Sequence, residues 1–343
     1  MIDGKVLNQQ GRPETRAGSG PARGAPDGHP ARSRRPARGA QQQFWQRLAR
    51  ERSLLLMVAP VFVLLLVFTY VPLVGNLVAF MDYVPYLPLS ESPWVGLQNF
   101  QLMFEDSAFW NALWNTLIIN GLQLIFSFPV PLALALFLHG ILSPVIRRFV
   151  QSVIYLPHFL SWVIVVALFQ QLLGGTGAVT EALRDMGVDA GNIMANPDTF
   201  KMLVVAQGVW KDAGWGTILF LAALSAIDLA LYEAAAVDGA NAWRRFWHIT
   251  LPGIRPVIVL LLILQLGSSL TVGFEQILLQ RGNVGPEAAE VLDTYVYFNG
   301  VIDGNWSIGV AAGLLKGVVG LVLILIANKV AHMLGEQGVY SRD

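Results

Sequence analysis

No cysteine occurs anywhere in the 343 residues, which removes disulfides, thiolate metal sites and cysteine nucleophiles together. Charge is scarce as well, at 13% of residues against roughly 25% in soluble domains. What charge there is crowds the start, where the first 52 residues hold 11 of the 23 Lys and Arg. A chain that is 54% hydrophobic cannot solvate a surface with the remainder, so most of it has lipid for a solvent. Phosphate-cradling sequence is missing too. A P-loop needs Gly-Lys-Ser/Thr, but Lys5, Lys201, Lys211, Lys316 and Lys329 are followed by Val, Met, Asp, Gly and Val. The lone histidines His158 and His248 have no metal-ligand companions at helical spacing, and no Ser-His-Asp set converges. A polytopic membrane enzyme is therefore disfavoured.

Present instead are long apolar runs. Residues 1–43 form a tail of Arg, Pro, Gly and Ala, read as disordered because it cannot bury enough surface to offset its chain entropy. No small-residue cleavage site follows the first apolar run, so a removable targeting peptide is the weaker alternative. Residues 44–53 (FWQRLARERS) read as an interfacial helix, with Phe44, Trp45 and Leu48 toward lipid and arginines toward headgroups. A spanning helix needs about 20 mostly apolar residues. Six fit, near 54–79, 112–139, 149–173, 202–227, 255–279 and 307–333, making 54–334 an all-α transmembrane domain and 335–343 a tail. Pro60, Pro72, Pro129, Pro131 and Pro157 predict kinked spans, as moving parts require.

Basic residues set the orientation. An inside N-terminus puts 18 Lys and Arg on the cytoplasmic side, among them Arg147, Arg148, Arg244, Arg245 and Arg255. Only Arg184, Lys201 and Arg281 fall outside, which under the positive-inside rule makes both termini cytoplasmic. Residues 228–254 are then the last cytoplasmic loop. There LYEAAAVDG reads as a short helix closed by Gly239, and Asn241 as the N-cap of a second helix, AWRRFWHIT. Leu251-Pro252 is expected to end that helix and Pro256 to open span five, giving a helix-turn-helix along the membrane surface.

The spacing Glu233-Ala234-Ala235, Gly239, Ile249, Leu251-Pro252 resembles the EAA loop of ATP-binding-cassette importer permeases at seven fixed positions. The segments GLQNFQLMFEDSAFWNALWNT (96–116) and LPHFLSWVIVV (156–166) are similar to the carbohydrate-uptake, maltose-type branch. Similarly, GFEQILL (273–279), DTYVY (293–297) and IANKVAHMLGEQGVY (326–340) resemble its subgroup for oligosaccharides and polysaccharide fragments. The resemblance spans about residues 50–340. It implies the type I importer permease fold in a bacterial plasma membrane, as a translocation subunit that is not itself an ATPase. Its partners would be a second homologous permease, two ATPase subunits and an extracytoplasmic sugar-binding protein. ATP and Mg would sit on the ATPases, with no cofactor on this chain. The seven motif residues would couple the ATPase to the bundle.

Polar groups within spans mark a path, because an ionisable one costs about 2.5–3.5 kcal/mol to insert. If span five is one helix, Gln265, Ser269, Gln276 and Gln280 fall within about 60° of one another over roughly 22 Å, flanked by Ser268 and Glu275. Span two adds Asn120, Gln123 and Ser127, and span four sets Trp210 and Trp215 about Lys211-Asp212. Amides and carboxylates beside aromatic faces suit a sugar; the bland alternative is hydrogen bonding between helices. An ion-coupled secondary transporter using Lys211, Asp212 and Glu275 is the competing function, though six spans without a repeat are few for such folds.

Overall fold

The computed structural model describes residues 52–188, 191–268, 270–333 and 335, with side chains from residue 56. The tail 1–43, residues 44–51 of the expected interfacial helix, Ser269 and the C-terminal tail apart from Gly335 lie outside the described residues. The chain divides into two compact units, 1–66 and 67–343. The described part of the first is helix α1 (Arg52–Leu65) and Leu66; Leu56, Met57, Phe62 and Leu64 on it are exposed, as side chains solvated by lipid are.

The second unit is helical apart from turns and one isolated β-bridge, Met81–Trp94, among its described residues. Its main helices are α2 (Ser107–Ser127), α3 (Pro129–Gly140), α4 (Pro144–Tyr155), α5 (Trp162–Leu173), α6 (Pro197–Ser225), α7 (Leu229–Val237), α8 (Ala242–Arg245), α9 (Leu251–Gly267), α10 (Phe274–Val284) and α11 (Trp306–Met333). Among the described residues, five helical stretches are long and apolar enough to cross a membrane: 56–80, 107–140, 162–185, 242–267 and 306–333. Helices α6 and α7, bent by 66° at their junction, pass the same test when taken together, which raises the number to six if the pair counts as one span. All six expected spans have a counterpart.

Three expectations about continuity are corrected. The third span is broken, because Leu156-Pro157 leads into a 3-10 turn, Leu160 is extended and Ser161 caps α5 by accepting from the Ile164 N–H. Span five does not run to residue 279. Ser268 bonds back to the carbonyls of Leu264 and Gln265, and β-branched Thr271 and Val272 follow, so the helix stops at Gly267 and α10 starts afresh. The wheel that put Gln265, Gln276 and Gln280 on one stripe therefore has no continuous helix beneath it. Conversely, Leu251-Pro252 does not end a helix, and Pro256 lies inside α9. A π-helical turn at Phe246–Thr250 joins α8 to α9, with the Leu251 N–H reaching the Phe246 carbonyl. That wider register absorbs Pro252, which has no N–H to give.

Helix α6 holds the unit together. Its Phe200, Val204 and Val205 pack with Ile119 of α2, Ile277 of α10 and Val291, while Phe220 and Leu224 pack with Ala135 of α3 and Ile254 of α9. Small residues allow the approach. A Cβ on Gly214 would lie 1.9 Å from the Ile154 carbonyl oxygen of α4. Thr217 Oγ1 donates to the Pro131 carbonyl at 3.2 Å, close to where Gly216 meets the Pro131 ring. Lys316, mid-span in α11, ion-pairs with Asp293, and Arg281 Nη2 lies 2.5 Å from Glu290. These charges are met within the chain, as the cost of bare charge in lipid demands.

Gly214→Leu should therefore be worse than an ordinary overpacked core, which costs about 1–3 kcal/mol, because backbone rather than a side chain must move. The expected result is a sharp fall in the thermal midpoint of the detergent-purified protein, measured beside Leu219→Ala on the exposed face as control.

Candidate functional site

Midway along α6, Gly208, Val209, Asp212, Ala213, Trp215 and Gly216 form one wall of a cavity of about 420 Å³. Their spacing of three and four residues gives them one helix face. Gln123, Ser127 and Pro131 close it from α2 and α3, Trp162 from α5, Gln265 from α9, and Thr271–Gly273 with Gln276 from the break and α10. The breaks in spans three and five supply this wall, since continuous helices could not turn Trp162 and Thr271 into the same space. A smaller hollow of about 280 Å³ shares Ser127, Pro131, Gly216 and Gln265 and adds Ser268.

The expected path residues divide. Gln123, Gln265, Gln276 and Trp215 border the cavity. Asn120 is half-buried on α2 and is not among the lining residues. Trp210 packs edge-on against Phe169, with ring centroids 5.6 Å apart, away from the cavity. Glu275 is exposed on α10 and does not reach it, and Ser269 is not described. Lys211 is buried beneath the wall, its ammonium 2.6 Å from the His158 carbonyl oxygen and 5.6 Å from the Trp162 ring centre. Asp212 takes a different partner, His158 Nδ1 at 2.8 Å. Lys211, Asp212 and Glu275 thus share no relay. Among the described residues no group of three His, Asp or Glu is placed to hold a metal ion.

Gln276 has a second role that its wheel position did not reveal. Its Nε2 donates to the Val204 carbonyl at 2.9 Å and to Gln207 Oε1 at 2.8 Å. Gln280 Nε2 donates to Gln207 Oε1 at 3.0 Å, and Gln207 Nε2 returns a bond to Gln280 Oε1 at 3.1 Å. All three are fully buried. Gln276 and Gln280 are therefore largely glue between α6 and α10. Sequence reasoning missed Gln207, the centre of this network, although it lies one residue from the cavity wall.

At the far end of α6 the chain bends into α7. Asp228 caps α7 by accepting from the Ala230 N–H at 2.9 Å, placing a carboxylate at the positive end of the helix. Gly239, at φ +73, ends it: its N–H reaches the Ala236 carbonyl and the Ala240 N–H the Ala235 carbonyl. That pair is a Schellman closure, which a residue with a Cβ resists. Asn241 caps α8 by accepting from the Arg244 N–H. Glu233, Ala234, Ala236 and Val237 are exposed and Ala235 half-buried, so α7 presents a small-residue face with one carboxylate. Ile249 and Leu251 are half-buried, on the π turn and at the start of α9, with Pro252 exposed beside them. Tyr232, which the motif does not include, bonds Thr250 Oγ1 at 2.9 Å and pins α7 to the π turn.

Kinked spans around a polar cavity, with an exposed helical loop rigidly tied to two of them, define a multi-pass membrane permease. Residues 127–334 match the family described as binding-protein-dependent transport system inner membrane component, and the chain belongs to it. It is 44% identical over 295 residues to the polygalacturonan/rhamnogalacturonan transport system permease protein YteP of Bacillus subtilis (strain 168), covering 86% of this chain and 92% of that protein. It is 43% identical to protein LplB of the same organism, covering 85% and 92%. Among solved structures, a bacterial ABC transporter involved in import of the acidic polysaccharide alginate superposes with a TM-score of 0.80 at 37% identity, covering 86% of this chain and all of that one. The same transporter with an alginate pentasaccharide-bound periplasmic protein matches equally, at a TM-score of 0.80.

Gln207→Leu should lower the thermal midpoint by the equivalent of about 1–3 kcal/mol, since the buried amides of Gln276 and Gln280 lose their shared acceptor. Gln123→Leu, at the half-buried cavity wall, should shift it much less. Equal shifts in the two melting curves would contradict the division of these glutamines into glue and lining.

Proposed function

We propose that this permease is the translocation subunit of an ATP-driven importer for oligosaccharides or polysaccharide fragments. Its complex contains a second homologous permease, two ATP-binding-cassette ATPase subunits and an extracytoplasmic sugar-binding protein. ATP and Mg bind the ATPases, and this chain contributes no hydrolytic chemistry. It lies in a bacterial plasma membrane with both termini cytoplasmic, which puts α7 on the inner face. The observation that carries the proposal is α7 itself: a largely exposed Glu-Ala-Ala helix, closed by a left-handed glycine and bonded through Tyr232 to the π turn that leads into α9. Pushing on such a helix moves α6 and α9 together. The named substrates of the relatives support sugars as the cargo, and the amides, hydroxyls and indoles of the cavity suit them. Glu233, Ala234, Ala235, Gly239, Ile249, Leu251 and Pro252 form the coupling surface. Gln123, Gln265 and Trp215 form this subunit's share of the path, with Gln276 bordering it.

Co-purification tests the coupling surface. Glu233→Lys reverses a charge at a desolvated contact, where breaking one side of a buried pair costs about 3–5 kcal/mol. That corresponds to docking weakened on the order of a hundredfold or more. The double variant with Gly239→Val should reach the membrane in normal amount yet lose the ATPase subunits on purification. Retention of the ATPases with wild-type uptake would show that residues 233–252 are only a loop.

A further inference from the structure

Among the described residues that line the cavity, Asp212 alone carries a formal charge. Its side chain is 53% exposed there. Oδ1 is engaged by His158 Nδ1 at 2.8 Å, and Oδ2 has no hydrogen-bond partner among the described residues. The His158 ring in turn lies flat on Trp215, with centroids 4.5 Å apart and planes 7° apart. Lys211 fixes the same turn from behind, through the His158 carbonyl, and does not line the cavity. The carboxylate is therefore held through His158, whose ring rests on Trp215 and whose carbonyl meets Lys211, and it borders the cavity with one oxygen left to accept.

An ionised carboxylate only accepts hydrogen bonds, so the complement of Oδ2 is a hydroxyl donor. Around it stand the Gln123 and Gln265 amides, the Ser127 and Thr271 hydroxyls, and the indoles of Trp162 and Trp215. That is a lining for a polyol with apolar ring faces. A sugar carboxylate arriving here would meet like charge with no lining cation to receive it. At about 5 Å and an effective dielectric near 20, such repulsion disfavours the anion on the order of a hundredfold.

We infer that Asp212, positioned by His158 against Trp215, is a hydroxyl-reading subsite that selects neutral sugar units over uronates. The inference rests on the proposed role in sugar import, and it sets this chain apart both from the alginate importer, whose cargo is acidic, and from the permease YteP, named for polygalacturonan and rhamnogalacturonan.

The test uses the complete complex in proteoliposomes with ATP, and two probes: tetragalacturonate and its carboxyl-reduced neutral counterpart. The readout is the ratio of their uptake, so selection by the binding protein cancels between variants. Asp212→Asn should slow neutral uptake and raise the uronate-to-neutral ratio tenfold or more, and Asp212→Glu should restore the wild-type ratio. Gln123→Lys, which leaves Asp212 in place and adds a cation to the same cavity, should raise the ratio independently. An unchanged ratio in both Asp212→Asn and Gln123→Lys overturns the subsite while leaving sugar import standing. Uptake of neither probe by a wild-type complex that hydrolyses ATP overturns the sugar assignment and the subsite with it.

Discussion

The close approach of other backbones to α6 is the constraint on which the rest depends. In lipid, apolar surfaces gain little from meeting one another, so helices associate where small residues let them touch and polar groups bond between them. Helix α6 does both. Gly214 admits the α4 backbone, Gly216 and Thr217 admit α3, and Gln207 reaches α10. Once α6 is fixed in this way, its remaining polar face has nowhere to go but inward, and Gly208, Asp212 and Trp215 become the cavity wall.

Charge placement follows from the same economy. Lys211 lies within 2.6 Å of a carbonyl oxygen, Lys316 meets Asp293, and Arg281 meets Glu290 and covers the Phe298 ring. With those charges engaged elsewhere, Asp212 is left as the one charged residue lining the cavity among the described residues. Function in a membrane protein collects where the protein declines to neutralise itself.

Much of this was legible in the sequence. Apolar length alone finds a counterpart for each expected span, with the bounds of the third and fifth shifted, and the positions of Gly239 and Asn241 announce the closure of α7 and the cap of α8. Hydropathy could not reveal the breaks. Residues 149–173 and 255–279 are apolar enough throughout, and a helical wheel assumes the continuity it is asked to test. The cues were local chemistry: Leu156-Pro157 in one span, and the Ser-Ser-Leu-Thr-Val-Gly run at 268–273 in the other. The partners of Gln207 and His158 were invisible for a different reason. Gln276 and Gln280 for the first, and Asp212 for the second, lie more than 50 residues away, and no spacing rule joins them.

A permease of an ABC importer is a conduit moved by others, and its energy source is the most direct check. The measurement is uptake of a labelled oligosaccharide into proteoliposomes containing the complete complex, with ATP, the binding protein and a transmembrane ion gradient each supplied or withheld. Uptake should require ATP and the binding protein together and be indifferent to the gradient. Uptake driven by the gradient without ATP would contradict the account.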